Sequence, residues 1–253
     1  MRMLARTLFL CALFCFFTPC RTEEPKQPEL KAAKVEKDAP KIDGVLDDDA
    51  WKSAASAKDF FTDEGAAAQG KTRVLVTQDE KNLYVAIEGF EDEATLKGLT
   101  ANVAQHDGDE IWQDDEMELF LDPTGKRNSY YQIIVNSKGV TWDAWHDTPK
   151  NPDTAWEPKY QSAVKIGEKS WVAEFALPWG IFEKTEKFEA DWVFNVIRER
   201  KAAGEGCYWS SVMGKSAHAP ERFGKLTGII GVKPPKAEAK TEAKTEAPAV
   251  EKK

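Results

Sequence analysis

Nine short runs rich in β-branched and aromatic residues, separated by turn residues, constrain this chain more than anything else in it. They are TRVLVTQ (72–78), NLYVAIEGF (82–90), EMELFLDP (116–123), YYQIIVN (130–136), VTWDAWH (140–146), YQSAVKIG (160–167), SWVAEFAL (170–177), WVFNVIRER (192–200) and CYWSSVM (207–213). Runs of this length and content read as strands, and many short strands at regular spacing indicate a sandwich or barrel. Turn residues support the division: QDEKN at 78–82, DPTG at 122–125 and NSKG at 136–139 each suit a tight reversal. Helix is confined to a turn around 47–54, where three aspartates gather at a helix start, and to a turn after Pro178. The expected fold is therefore all-β, an antiparallel β-sandwich.

The ends of the chain follow different rules. Residues 1–20 carry Arg2 and Arg6, the largely apolar run TLFLCALFCFF and then TPC, the layout of a secretory signal, and a run of eleven residues is too short to span a bilayer. Cys20 follows the apolar run as the acylated cysteine of a bacterial lipoprotein does, although Pro19 and Phe17 depart from that pattern. Export is expected on either reading, to the medium, the periplasm or a lipid anchor at the cell envelope. Residues 21–41, with three prolines and alternating charge, read as a flexible linker, and 233–253, rich in Lys, Glu, Ala and Pro, as a disordered tail. One domain remains, 42–232. With Cys11 and Cys15 in the leader and Cys20 lipidated or removed, Cys207 has no partner, so the core alone must hold the fold.

Charge narrows the partners. The chain carries −8 overall, and its leader, linker and tail are each net basic, which leaves −13 on 42–232. Such a domain repels phosphate backbones and anionic lipid, which excludes nucleic acid and leaves membrane contact to a lipid anchor. Neutral ligands and divalent cations remain.

The stretch DEIWQDDEMELFLDP (109–123) concentrates this acidity around Trp112. Asp107, Asp109 and Asp114 offer oxygen ligands to a structural calcium ion, and the competing reading is a solvated acidic loop. Glu116 and Glu118 alternate onto one strand face, and Glu174 and Glu199 supply further acids. No pair is marked out as the two carboxylates of a glycosidase, which ranks an enzyme third. The three histidines, His106, His146 and His218, show no metal-binding spacing and read as isolated surface or core residues. Among nine tryptophans, Trp51, Trp171, Trp179 and Trp192 sit in apolar contexts and are expected in the core. Trp112, Trp142, Trp145, Trp156 and Trp209 lie beside polar or loop residues, where two or three are expected to be exposed. Trp142 and Trp145, three apart on one strand, should face opposite ways.

Several motifs recur in a familiar order: IDGVLDDDAW (42–51), the strand pair at 72–91, Trp112-x-x-Asp115-x-x-Glu118-x-Phe120-x-Asp122, YYQIIVNSKG (130–139) and FGKLTGI (223–229). In this the domain resembles the family 9 carbohydrate-binding modules and their DOMON-like relatives. The resemblance implies a jelly-roll sandwich, structural calcium, and a cleft that holds sugar chain ends between two tryptophans. It places Trp112 as the first of these, Glu118 as an acid bonding sugar hydroxyls, and Asp115 in the same motif. Two positions depart from the pattern: Ile134 stands where an arginine is expected, and Ala217 or His218 where the second tryptophan belongs.

The expected function is non-catalytic binding of a neutral carbohydrate, by stacking on Trp112 and hydrogen bonding to Glu118. Asp115, Gln132, Asn136, Trp142, Arg198 and Trp209 are further candidates, with Trp209 a possible replacement for the second tryptophan. The alternative is an exported interaction or scaffold domain whose sugar site has degenerated.

Overall fold

The computed structural model describes residues 26–231. The leader with Cys20 and the tail 233–253 lie outside the described residues. In chain order the strands are β1 (Glu29–Lys31), β2 (Ala33–Lys34), β3 (Ala55–Ala57), β4 (Thr72–Gln78), β5 (Asn82–Phe90), β6 (Glu116–Asp122), β7 (Tyr130–Asn136), β8 (Thr141–Thr148), β9 (Asn151–Asp153), β10 (Gln161–Ile166), β11 (Ser170–Pro178), β12 (Trp192–Arg200), β13 (Glu205–Tyr208) and β14 (Gly224–Thr227). Two single-turn helices, α1 (Asp49–Ser53) and α2 (Glu93–Lys97), accompany them.

The strands form two sheets. The larger runs β1-β14-β12-β6-β7-β8-β9, with β13 paired to β12; the smaller runs β10-β11-β5-β4-β2, with β3 paired to β4. All pairs are antiparallel except β1 on β14 and β2 on β4. The expected sandwich is present, built by two-residue alternation that sends one set of side chains between the sheets. Met117, Leu119 and Leu121 of β6 meet Val85 and Ile87 of β5, Phe175 of β11, and Trp192 and Phe194 of β12 in one buried core. Trp51, Trp171, Trp179 and Trp192 are all buried, as expected. Trp51 does not join the central core: from α1 it covers Leu75, Tyr84 and Ala86 on the outer face of the smaller sheet. The IDG turn before it is held by Glu174, whose Oε2 accepts the amides of Asp43 and Gly44 at 2.9 and 2.5 Å.

The linker expectation needs correction. Residues 29–34 are paired strands, and Leu30 and Ala32 are buried in the main core. In ELKAAK two apolar side chains alternate with charged ones, which suits an edge position, and β14 and β4 offer unpaired backbone groups there. Composition concealed this because the buried side chains are few and small.

One end of the sandwich closes on charge. Arg198 follows Trp192, Phe194 and Val196 in the alternation of β12, so it points between the sheets and away from the sheet's outer face. There it pairs with Glu91, which also receives Arg200; Arg200 reaches Glu205 as well. A Cβ on Gly89 would come within 2.3 Å of the Arg198 guanidinium, so any side chain there would displace that buried group from its place. Arg198, a sequence candidate for ligand contact, is thereby assigned to the fold.

Two outcomes are expected from these contacts. Leu30→Ala should lower unfolding free energy by about 2–3 kcal/mol, as for a truncated core side chain, whereas a tether residue would change nothing; urea denaturation distinguishes them. Glu91→Gln removes the charge facing the buried Arg198 and should cost about 3–5 kcal/mol in the same measurement.

Candidate functional site

The outer face of the larger sheet is itself mostly covered. After β13 the chain leaves the sheet, and Tyr208, Val212, Ala219 and Phe223 pack on Phe120, Tyr130, Val193 and Ile197 in a second apolar cluster. Where this cover stops, a cleft of about 510 Å³ remains, and the sheet strands that line it supply Glu118, Gln132, Ile134, Trp142, His146 and Glu199. Pro152 of β9 adds to it, and Trp112, Pro149, Lys150, Lys201, Ala217 and His218 complete its walls from the connecting segments.

Register explains the arrangement. Glu118 lies opposite Ile134 and Ile134 opposite Trp142, so the three form a row across β6, β7 and β8. Trp112 stands above that row on a short 3-10 turn (Ile111–Gln113), anchored by fully buried Ile111 and entered through Glu110 at φ 68°. Its indole is 47 % exposed and meets Trp142 edge to face, with centroids 6.5 Å apart at 88°. The second aromatic beside Trp112 is therefore Trp142. Ala217 and His218, where the resemblance looked for it, line the cleft without supplying an indole. As expected, Trp145 faces the other way from Trp142, packing on the main core with Lys184 over its ring.

A hydrogen-bond chain orients the acid at the cleft floor. His146 Nε2 meets Gln132 Oε1 at 2.9 Å, and Gln132 Nε2 donates to Glu118 Oε2 at 2.7 Å. Because the amide oxygen only accepts, His146 carries its proton on Nε2. Burial holds this imidazole neutral, its pKa pushed down to about 3 with His218 adding repulsion. Tyr130 stacks on His146 at 4.6 Å, and its hydroxyl pairs with His218 Nδ1 at 2.7 Å. Burial raises Glu118 to about 7, with Glu199 adding to the shift and the Gln132 amide opposing it. Glu116 is pushed well above the usual carboxylate range by burial and by the charges of Glu118 and Glu199. Lys201 pairs with Glu199 at the rim, at 2.9 Å.

Of the residues singled out in the sequence, Trp112, Glu118, Gln132 and Trp142 come together here. Four others do not, besides the structural role already given to Arg198 the remaining three being hydrogen-bonding or core residues. Trp209 is buried against Phe194, centroids 5.4 Å apart, because the chain crosses the sheet edge at that point and turns the indole inward. Asn136 is buried and donates to Val103 O and Asp114 Oδ2, while Asp115 accepts the Thr100 amide at 2.6 Å. Both residues tie the 100–115 segment to the sheet. Trp156, also buried, donates its indole N–H to Ile181 O.

The acidic loop separates into parts. Asp114 takes the amides of Asn102 and Val103, so its oxygens serve the loop backbone, and Asp109 lies with it along a shallow groove. Asp107 instead approaches His106 and Asp143. Sequence reasoning placed His218 at the cleft through the resemblance but missed His146, Glu199 and the two lysines as site residues. His146 was within reach, since it sits four residues after Trp142 and shares its face; the loop residues carried no local signal.

Comparison with known proteins agrees with this architecture. The family model described as carbohydrate family 9 binding domain-like matches residues 42–228. The chain is 27% identical over 194 residues to endo-1,4-beta-xylanase A of Thermotoga neapolitana, an alignment covering 74% of this chain and 17% of that protein. It is similar in fold to a family 9 carbohydrate-binding module from Caldicellulosiruptor kristjanssonii solved with glucose, with TM-score 0.54, 16% identity and coverage of 83% of this chain and 98% of that one. The same module in complex with cellotriose matches with TM-score 0.55, 16% identity and coverage of 83% and 96%. The chain spans about one sixth of the xylanase, as a module within it would. Together with the motif order and the sandwich, a family match over this span means that the chain belongs to the carbohydrate family 9 binding domain-like family.

Proposed function

We propose that this protein is an exported, non-catalytic module that binds the end of a neutral β-linked glucan or xylan chain in the cleft that Trp112 and Trp142 line together. The exposed indole of Trp112, set edge to face against Trp142 above the Glu118 row, carries this reading. A pyranose presents an apolar C–H face and an equatorial belt of hydroxyls. An indole removes the first from water, and a fixed carboxylate accepts hydrogen bonds from the second. Glu118 is held for this by Gln132 and His146, while Lys150, Lys201 and His218 offer donors around it. Cellotriose bound by a family member of the same fold supports the ligand class. The leader and its Cys20 support export.

The carboxylates are assigned to binding. Glu116 and Glu118 are buried on one strand under the same cover, and nothing sets one of them across an open gap from the other as cleavage of a glycosidic bond requires. Burial of Glu118 also costs the fold stability, a common signature of a group retained for its chemistry.

Titration calorimetry with cellotriose and xylotriose should give millimolar or tighter binding, weakened at least about tenfold in Trp112→Ala. Absence of heat with wild-type protein at millimolar ligand would sink the proposal and favour the scaffold alternative; release of reducing ends from either sugar would overturn the non-catalytic assignment.

Glu118 gives a second expectation, on stability. Its folded pKa of about 7 lies above the ordinary 4.5, so the folded state holds this proton more tightly than the unfolded chain. Ionisation therefore destabilises the fold: the penalty is absent below pH 4.5, grows as pH rises, and is complete above 7. Glu118→Gln should raise unfolding free energy by up to about 3 kcal/mol at pH 8 and leave it unchanged near pH 4, while weakening sugar binding at pH 8. Urea melts at the two pH values measure the first effect, and calorimetry the second.

A further inference from the structure

Behind the sheet that lines the cleft, His106, Asp107 and Asp143 bring one ligand atom each within 4.8 Å of one another. From His106 Nε2 the distances are 3.6 Å to Asp107 Oδ2, 4.0 Å to Asp143 Oδ2 and 3.4 Å to Glu157 Oε2. We propose that these residues form a site for a borderline divalent transition metal of the Zn²⁺ class, separate from the sugar cleft. Asp143 follows Trp142 on β8 and so projects from the opposite face of the strand, which keeps the two sites apart.

Three observations point to a cation. First, the Nδ1 of His106 contacts Thr141 O at 2.9 Å and Thr141 Oγ1 at 3.0 Å. A carbonyl only accepts, so Nδ1 carries a proton, and Nε2 is the ring atom turned toward the carboxylates. This is the arrangement by which a backbone carbonyl sets the tautomer of a metal-ligating histidine. Second, Asp143 is 1 % exposed, and its Oδ1 is buried with no hydrogen-bond partner, while Oδ2 accepts the Tyr160 hydroxyl at 3.2 Å. A buried carboxylate with one oxygen unbonded, beside a second carboxylate, is where a cation would be stabilised most. Third, the separations are right. Ligands about 2.0–2.1 Å from a tetrahedral ion lie about 3.3 Å from one another; His106 Nε2 is already 3.4 to 4.0 Å from the three carboxylates, and rotation of the exposed His106 ring closes the remainder toward buried Asp143.

The ligand set also selects the ion. One imidazole nitrogen with two or three carboxylates suits zinc and its neighbours, whereas calcium takes oxygen ligands in greater number. Of the calcium candidates from the sequence, only Asp107 takes part. Its backbone, at φ 56°, is fixed by a bond from its amide to Thr141 O at 3.1 Å, and its Oδ1 accepts the Asp143 amide at 3.3 Å. An occupied site would therefore fasten the loop before Trp112 to β8.

The test is calorimetric titration of the chelator-treated chain with ZnCl₂, with its melting temperature followed in parallel. One equivalent of Zn²⁺ should bind and raise the melting temperature. His106→Ala, at an exposed position, and the near-isosteric Asp143→Asn should each weaken binding at least about tenfold, while His218→Ala, in the cleft, should not. Absence of Zn²⁺ binding overturns the proposal and leaves a protonated His106 bridging the acids. Undiminished binding in His106→Ala, or loss of binding in His218→Ala alone, overturns the location. Displacement of Zn²⁺ by an equal concentration of CaCl₂ overturns the metal class. Sugar titrations on the same samples report on the cleft separately, since either site can fail without the other.

Discussion

Burial of β6 on both faces is the constraint from which the rest of this structure follows. Every residue of Glu116–Asp122 is buried. The inward face, Met117, Leu119 and Leu121, is covered by the smaller sheet, as in any sandwich. The outward face is covered by the end of β13 and the segment after it, which together lay Tyr208, Val212 and Phe223 over Phe120. Two carboxylates that an ordinary two-layer sandwich would leave in water, Glu116 and Glu118, are thereby desolvated, and their pKa values rise for that reason first.

The same cover shapes the cleft. It ends at Ala217 and His218, and beyond that edge the outer face of β6, β7 and β8 opens beneath Trp112. A carboxylate in such a place must be held by fixed partners, and the Gln132–His146 chain holds it while the neutral imidazole adds no charge. The site thus pairs a water-excluding indole with an acceptor whose geometry is set before any ligand arrives, which reduces the ordering cost of binding. On the opposite face of the same strands, where Arg198 lies beside Met117, Arg198 and Glu91 do the reverse, burying full charges that neutralise each other.

Strand content was legible to within a residue or two at most positions, because period-two alternation and turn residues are local signals. The partial failures have physical causes. CYWSSVM has strand composition, yet the strand ends at Tyr208 because the following residues are needed as cover for the outer face. Residues 29–34 look like tether, yet an edge strand needs only two small buried side chains and backbone hydrogen bonds, for which composition is no guide. At the site, Trp112 and Glu118 were indicated by the family resemblance, and Gln132 and Trp142 by their place on neighbouring strands. Arg198 and Trp209 were misplaced because the parity of β12 and the departure of the chain after β13 decide which face each residue occupies.

The sequence by itself determined the all-β class and the alternation that divides each strand into a core set and an outer set. These depend on residues close in the chain, whose relative placement a strand or a turn prescribes. Only the tertiary structure decided that Trp142 is the indole beside Trp112, that His146 and Gln132 orient Glu118, and that His106, Asp107 and Asp143 converge behind the sheet. Those groupings depend on strand register and on where a loop lands, set by the packing of the whole domain, and no spacing within the chain encodes them.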